Sequence, residues 1–261
     1  MSRFCPLFSS SSGNCIFVGT SQHGILVDIG CSCKRVIAAL EQNGISPDDI
    51  IGIAITHEHC DHICGLKTFL KKYKVPVIAS PKTLLALQKN GSLGENDRVI
   101  PVTDSVTLED IIIKRIATSH DCEGSSAYAF TLPDERRVAV CTDLGYISDG
   151  VAEGLCGCDL VMLESNHDIN MLKNGPYPPH TKARILSDHG HLSNGVCAGL
   201  LPRLVKSGTT RLVLGHLSQN NNLPALALSS SRAALMDAGL KEETDYVLYV
   251  APVCGGRMFY L

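Results

Sequence analysis

Tryptophan is absent from the 261 residues and aromatic side chains make up only 5% of them, so the core must be aliphatic. Neither sign of charge is in large excess: 23 Lys and Arg face 26 Asp and Glu, a formal net charge of -3. That balance excludes a protein that holds nucleic acid by bulk positive field alone. No stretch approaches the ~18 uninterrupted apolar residues of a membrane-spanning helix. The opening MSRFCPLFSSSSGNC lacks the basic flank and long apolar run of a secretory or transit segment. These absences predict a soluble, cytoplasmic protein with no membrane association. Internal repeats, low-complexity tracts and linkers are also missing, which predicts a single domain over residues 1–261, long enough to bury roughly three quarters of its extended surface.

Cysteine, by contrast, is abundant, with twelve residues. Without an export signal these read as reduced thiols used as small apolar core residues, not as a disulfide framework. The pairs Cys31 and Cys33, and Cys156 and Cys158, have one residue between thiols. That spacing fits neither a zinc knuckle nor a dithiol redox motif, so both pairs read as structural.

The apolar runs CIFVG and GILVDIG, separated by TSQH, predict a hairpin of buried strands. KRVIAALEQNG is helical by spacing and stops at Gly44. DDIIGIAIT is a β-rich run that leads directly into THEHCDH, Thr56 to His62. DHICGLKTFLKKY predicts a helix, VPVIAS a strand and PKTLLALQKN a helix with Pro81 in its first turn. From Arg98 to Asp143 the runs are β-rich, CDLVMLES adds a strand, and a polar, proline-bearing stretch from Asn166 to His191 follows. SNGVCAGLLPRLV and PALALSSSRAALMDAG then read as helices, and TRLVLGH and DYVLYVAP as strands.

His57, His59, Asp61 and His62 fall within six consecutive positions just after a buried strand, where open α/β sheets place their sites. Imidazole and carboxylate form a ligand set suited to zinc, manganese or iron. Side chains at alternate positions of the loop can converge on one ion, and the Asp-His pair opening the next helix on a second point nearby. KTFLKKYK places Lys67, Lys71, Lys72 and Lys74 just beyond. They form either a solvated helix face or, beside a catalytic centre, contacts for phosphate.

HEHCDH matches the HxHxDH motif of the metallo-β-lactamase fold, and the other motifs of that family follow in order: Asp28 in ILVDIG, His120 in ATSHD, Asp143 in CTDLG and His216 in LGHLS. The sequence thus resembles that family along nearly its whole length, which implies an α/β protein, an αββα sandwich of two mixed β-sheets flanked by helices. The resemblance further implies two divalent metal ions, zinc, manganese or iron. His57, His59 and His120 would hold one; Asp61, His62 and His216 would hold the other; Asp143 would bridge them, and Asp28 would support the loop. Glu58 is expected to stand between ligands without being one. Cys60 is atypical for the motif, either a spectator beside the metal or an oxidation-sensitive thiol.

SSSSGNC, LESNHD, RILSDHGHLSN and LGHLSQNNNLPALA together resemble the YycJ/WalJ-type branch of the fold, DNA exonucleases acting from the 5' end of duplex DNA. The implied activity is metal-dependent phosphodiester hydrolysis by a hydroxide that the two metals activate. Asp61, Asp143 and His191 are then the expected catalytic residues, with His191 touching the scissile phosphate or assisting the leaving oxygen. Ser193 reads as the N-cap of a helix whose free N–H groups attract phosphate. Ser12, Asn14, Ser193, Asn194, Lys182 and Arg184 are the candidate substrate contacts, although a tight hairpin turn explains Gly13 and Asn14 equally well. His167 and Asp168 would buttress the site. A stop for duplex threading past the metals would have to come from the segment between Asn166 and His191. A thioesterase of the glyoxalase II kind would share every metal ligand, and a binding module merely ordered by metal is the remaining alternative.

Overall fold

A computed structural model describes residues 1–261. The apolar runs form two seven-stranded sheets. In the first, β1 (Arg3–Ser10), β2 (Gly13–Gly19), β3 (Gly24–Val27), β4 (Ile50–Ala54), β5 (Val77–Ala79) and β6 (Val99–Pro101) lie in chain order. The second holds β7 (Ser105–Leu108), β8 (Ile111–Ala117), β9 (Ser126–Thr131), β10 (Arg137–Cys141), β11 (Leu160–Glu164), β12 (Arg211–Gly215) and β13 (Val247–Val250), and β14 (Phe259–Tyr260) returns to pair with β1. Pairing is antiparallel from β1 to β3 and from β7 to β10, and parallel from β3 to β6 and from β10 to β13. Both sheets are therefore mixed, as the motif order implies.

Strand alternation divides the core into three layers. β2 sends Ile16 and Val18 between the sheets, and β10 meets them there with Val138 and Val140. Cys15 and Phe17 point the other way, under α1 (Cys33–Gln42), α3 (Leu66–Tyr73) and α4 (Pro81–Lys89), which contribute Val36, Leu40, Phe69 and Leu87. Ala139 and Cys141 lie under α5 (Asp149–Leu155), α8 (Asn194–Lys206) and α9 (Pro224–Asp237). Strands buried on both faces read as unbroken apolar runs rather than alternating ones. Each fully buried large aliphatic or Phe side chain contributes about 1.5–3 kcal/mol. No helix is long and apolar enough to cross a membrane.

One expectation changes. DHICGLKTFLKKY is not one helix but two, α2 (Cys60–Ile63) and α3, divided at Gly65. A Cβ on Gly65 would fall 2.3 Å from the Cys31 carbonyl oxygen, so the chain turns where it passes closest to the β3–α1 connection. The polar, proline-bearing stretch after β11 contains α6 (Ile169–Asn174) and α7 (Pro179–Ile185).

Gly30 marks the tightest approach to the histidine loop. Its N–H donates to the Asn14 carbonyl at 2.7 Å, and a Cβ there would meet the Asp61 carbonyl oxygen at 1.6 Å. Gly30→Ala is expected to displace the Asp61 loop and destabilise the fold by about 1–3 kcal/mol or more. Denaturant midpoints with parallel metal analysis check this; an unchanged midpoint and metal content would show that the loop yields freely.

Candidate metal centre

Every motif residue lies just beyond the end of a strand. Asp28 follows β3, Asp143 follows β10 by two residues and His216 follows β12, all three with left-handed backbone (φ 60°, 58° and 52°). Positive φ is uncommon outside glycine, best tolerated by Asp, Asn and His, and costs on the order of 1–3 kcal/mol when imposed. Here it turns each side chain back across the strand ends, so that both sheets contribute to one cluster.

Asp28 is fully buried and accepts three hydrogen bonds from the loop: from the Thr56 N–H at 2.8 Å, the Thr56 hydroxyl at 2.9 Å and His62 Nδ1 at 2.7 Å. It therefore supports the loop from behind, with its carboxylate turned to His62 Nδ1 and leaving Nε2 for the cluster. His62 Nε2 stands 3.5 Å from Asp61 Oδ2 and 3.3 Å from Asp143 Oδ2, and His216 Nε2 lies 3.8 Å from Asp61 Oδ2. On the other side His57 Nε2 is 3.0 Å from His59 Nδ1, and the rings of His57, His59 and His120 have centroids 4.6–5.2 Å apart. All seven motif side chains are thus brought together. His120 Nε2, His216 Nε2 and Asp143 Oδ2 are buried without a hydrogen-bond partner. Orphaned donors of this kind, nitrogen and oxygen only, fit divalent cations, and the side chains form several overlapping clusters close enough to hold them.

The groups differ in what backs them. Burial opposes charge on His62, yet Asp143 and Asp28 hold its imidazole well above the usual range. Burial likewise opposes charge on His216, but Asp143 and Glu164 push it up to about 10. Burial and the positive His62 hold His57 well below its usual range, and burial lowers His120 too, leaving both as neutral lone-pair donors. His57 Nδ1 is backed only by the Thr56 hydroxyl (3.0 Å) and His120 Nδ1 by the Gly190 carbonyl (3.1 Å).

Glu164, at the end of β11, was not singled out by sequence. It is fully buried; Oε1 accepts from His191 Nδ1 at 2.8 Å and His216 Nδ1 at 3.0 Å, and Oε2 accepts from the Leu144 and Leu192 N–H groups. Burial opposes its charge, but His191 and His216 hold it down to about 2. His191 joins the cluster, its ring 5.1 Å from His120 and 5.4 Å from His216, with Nε2 its free nitrogen. Asp121 was also missed: Oδ1 lies 3.1 Å from His120 Nε2 and 3.4 Å from His59 Nε2. So was Cys122, with Sγ 3.3 Å from His59 Nε2. Cys60, the thiol inside the motif, is instead exposed at the start of α2; the thiol beside the cluster is Cys122. Glu58 is in none of the clusters of His, Cys, Asp and Glu side chains that could hold a metal.

The expected substrate contacts separate. Ser12 is exposed in the two-residue turn between β1 and β2, where its hydroxyl meets Ser10 at 2.8 Å and accepts from Gln219 Nε2 at 2.8 Å. Asn14 is buried beneath His62, its Nδ2 3.2 Å from His62 Nε2 and 3.0 Å from the Ser10 carbonyl. Ser193 caps α8 by accepting from the Val196 N–H at 3.3 Å. Asn194 is buried with its amide bonded to Ser165 and Asn222, so it ties loops together and presents nothing to solvent. Lys182 reaches the Lys173 carbonyl, and Arg184 pairs with Asp121 at 2.6 Å. Asp168 caps α6, and burial lowers the neighbouring His167 to about 4.

Residues 10–216 match the metallo-beta-lactamase superfamily. The chain is 38% identical over 239 residues to the exodeoxyribonuclease YycJ of Bacillus anthracis, covering 91% of this chain and 90% of that protein. It is 36% identical over 251 residues to the exodeoxyribonuclease WalJ of Streptococcus pneumoniae serotype 2, covering 95% and 93%. The chain belongs to the metallo-beta-lactamase superfamily. Within that superfamily it is related to the YycJ/WalJ branch, and it is a metal-binding hydrolase. The crystal structure of the metallo-beta-lactamase fold protein YhfI from Bacillus subtilis superposes with a TM-score of 0.72 at 14% identity, over 99% of this chain and 98% of that one. A diphosphatase of the PhnP family gives 0.69 at 17% identity, over 100% and 98%. At those identities the superfamily fold is shared and nothing more.

Asp28→Asn keeps the shape but removes the charge behind His62. Partners that orient a metal ligand in this way are worth about 10–100-fold in metal affinity. Calorimetric titration of zinc into metal-stripped protein is expected to show one of two binding events weakened by that factor with the fold intact; two unaltered events would count against it.

Proposed function

We propose that this chain is a metal-dependent phosphodiesterase, a 5'-to-3' exonuclease of double-stranded DNA, working as one unit over residues 1–261. The observation that carries the reading is its 36–38% identity, over at least nine tenths of both chains, to proteins named as exodeoxyribonucleases. His57, His59 and His120 are assigned to one ion, Asp61, His62 and His216 to the other, and Asp143 to the position between them. Two divalent ions so held supply the positive charge that lowers the pKa of water and offsets charge gathering on a phosphate.

The chain's own residues then do the rest. Asp61 and Asp143 fix the donors at the face where the reaction occurs. His191 is held by Glu164, and that carboxylate raises it above the usual range of histidine against the opposing effect of burial. Its free Nε2 is assigned to donate to the leaving oxygen. Lys67, Lys71, Lys72 and Lys74, all exposed on or just after α3, and Arg184 at the rim are assigned to the DNA backbone. Ser12, on the exposed turn, remains a candidate contact, and α6 and α7 are assigned the stop for the duplex. We place the reaction in the cytoplasm, a reading supported by twelve cysteines that are all unpaired.

The test is digestion of duplex DNA, labelled at either 5' or 3' end, by stripped protein re-supplied with Mn²⁺ or Zn²⁺. Short 5'-labelled products are expected, abolished in His59→Ala. His191→Ala is expected to retain metal and lose about 10²–10⁴-fold in kcat, the usual range for a general acid. No cleavage with the site demonstrably loaded would turn the search to thioester substrates.

A further inference from the structure

Arg184 reaches across from α7 to Asp121, the residue after His120. Its side chain is 55% exposed and that of Asp121 29%. An ion pair this wet contributes about 0–1 kcal/mol to stability, so folding alone gives it little purpose. Its placement is another matter. Asp121 Oδ2 meets Arg184 Nη1 at 2.6 Å, while Oδ1 faces His120 Nε2 at 3.1 Å and His59 Nε2 at 3.4 Å. One carboxylate therefore joins two histidines of the cluster to an arginine on the surface.

The same segment is tied to the cluster twice more. The Gly190 carbonyl lies 3.1 Å from His120 Nδ1, and His191 pairs with Glu164. The backbone of Asp188 passes so close to Gly145 that a Cβ there would fall 2.2 Å away. α7 thus has a fixed position relative to the histidines.

Resting on the exonuclease reading above, we propose that Asp121 is a positioning residue that clamps Arg184 beside the metal centre as a pre-set contact for a DNA backbone phosphate. A guanidinium carries five donors, and the pair with Asp121 uses one nitrogen, leaving the rest of the fork for phosphate. Holding the side chain in one conformation before binding removes an ordering cost that a free arginine would incur. Arg184 also masks the Asp121 carboxylate, which would otherwise repel the approaching phosphate. Removing Arg184 therefore loses a contact and exposes a repulsion together.

The experiment measures kcat and KM on duplex DNA across a potassium chloride series for metal-loaded wild type, Arg184→Ala, Asp121→Asn and the double variant. Arg136→Ala serves as control, since Arg136 makes an ion pair of equal length (2.6 Å, with Asp159) at the opposite end of the sheet. Activity on bis(p-nitrophenyl) phosphate, which lacks neighbouring phosphates, and bound metal are followed in parallel. The expected result for Arg184→Ala is a KM on duplex raised about tenfold, with the slope of log KM against log salt reduced by about one. Asp121→Asn should raise KM in the same direction with metal retained, and the double variant should be no worse than Arg184→Ala alone. Arg136→Ala should match wild type throughout, on duplex and on the small ester.

An active wild type whose salt slope is unchanged by Arg184→Ala overturns the clamp while leaving the exonuclease reading standing. Additive effects of the two substitutions overturn it as well, because a clamp acts only through its arginine. Loss of metal from Asp121→Asn would make Asp121 a ligand instead. A loaded wild type inert on duplex DNA overturns the exonuclease reading and the clamp with it.

Discussion

Three carboxylates, those of Asp28, Asp143 and Glu164, lie within the fold with at most 2% of their surface exposed. An ionised carboxylate moved out of water without compensation costs several kcal/mol even after relaxation. The rest of the centre is organised around that constraint. Asp28 is met by a hydroxyl, a backbone N–H and an imidazole, and Glu164 by two imidazoles and two backbone N–H groups. Asp143 alone has an oxygen with no hydrogen-bond partner. Its neighbours, His62 and His216, are held protonated largely on its account. A buried carboxylate oxygen left unpartnered beside two imidazoles is where a divalent cation has a place.

The sandwich is what allows such a cluster to exist. Asp28 and the Thr56–His62 loop come from the first sheet; His120, Asp143, Glu164 and His216 come from the second. Neither sheet carries a full donor group of both kinds, so the inter-sheet layer of aliphatic residues sets the spacing of the metal ligands proposed here. Tyr128 makes one link across that layer explicit, donating from β9 to the Ile55 carbonyl at 2.8 Å, one residue before Thr56. Left-handed turns at Asp28, Asp143 and His216 complete the geometry by folding side chains over the strand ends instead of away from them.

Much of this was legible in the chain, and the failures have physical causes. Buried strands such as CIFVG and GILVDIG announce themselves because both faces are apolar, and Ser193 and Pro81 mark helix starts by chemistry that depends on few neighbours. β1 did not, because Pro6 interrupts its run and proline removes a ladder donor; the strand accommodates it with a register shift between Pro6 and Phe8. Gly65 was absorbed into a helix because its reason, the nearby Cys31 carbonyl, belongs to a distant part of the chain. Among site residues, the motif histidines were visible through their density. Glu164 ends an apolar strand with no second ligand-type residue next to it, and its signal lay only in the quoted LES. Cys60 attracted attention by adjacency, whereas the direction of the α2 turn leaves it exposed and brings in Cys122 from another loop.

The two donor groups are unlike in a way that bears on which side receives substrate. His62 and His216 are backed by the buried anions Asp28 and Glu164, which raise the basicity of an imidazole and favour retention of a cation. His57 and His120 are backed by a hydroxyl and a carbonyl, both neutral, and His59 is the most open of the set, with 37% of its side chain exposed. The anchored half is thus the half sealed by protein, and the half with neutral backing faces the rim where Asp121, Cys122 and Arg184 gather. A cation held among neutral donors keeps more of its charge available to a new anionic ligand than one already offset by nearby carboxylates. On the phosphodiesterase reading proposed above, an incoming phosphate would be drawn towards the His57, His59 and His120 side, where the arginine of α7 already stands.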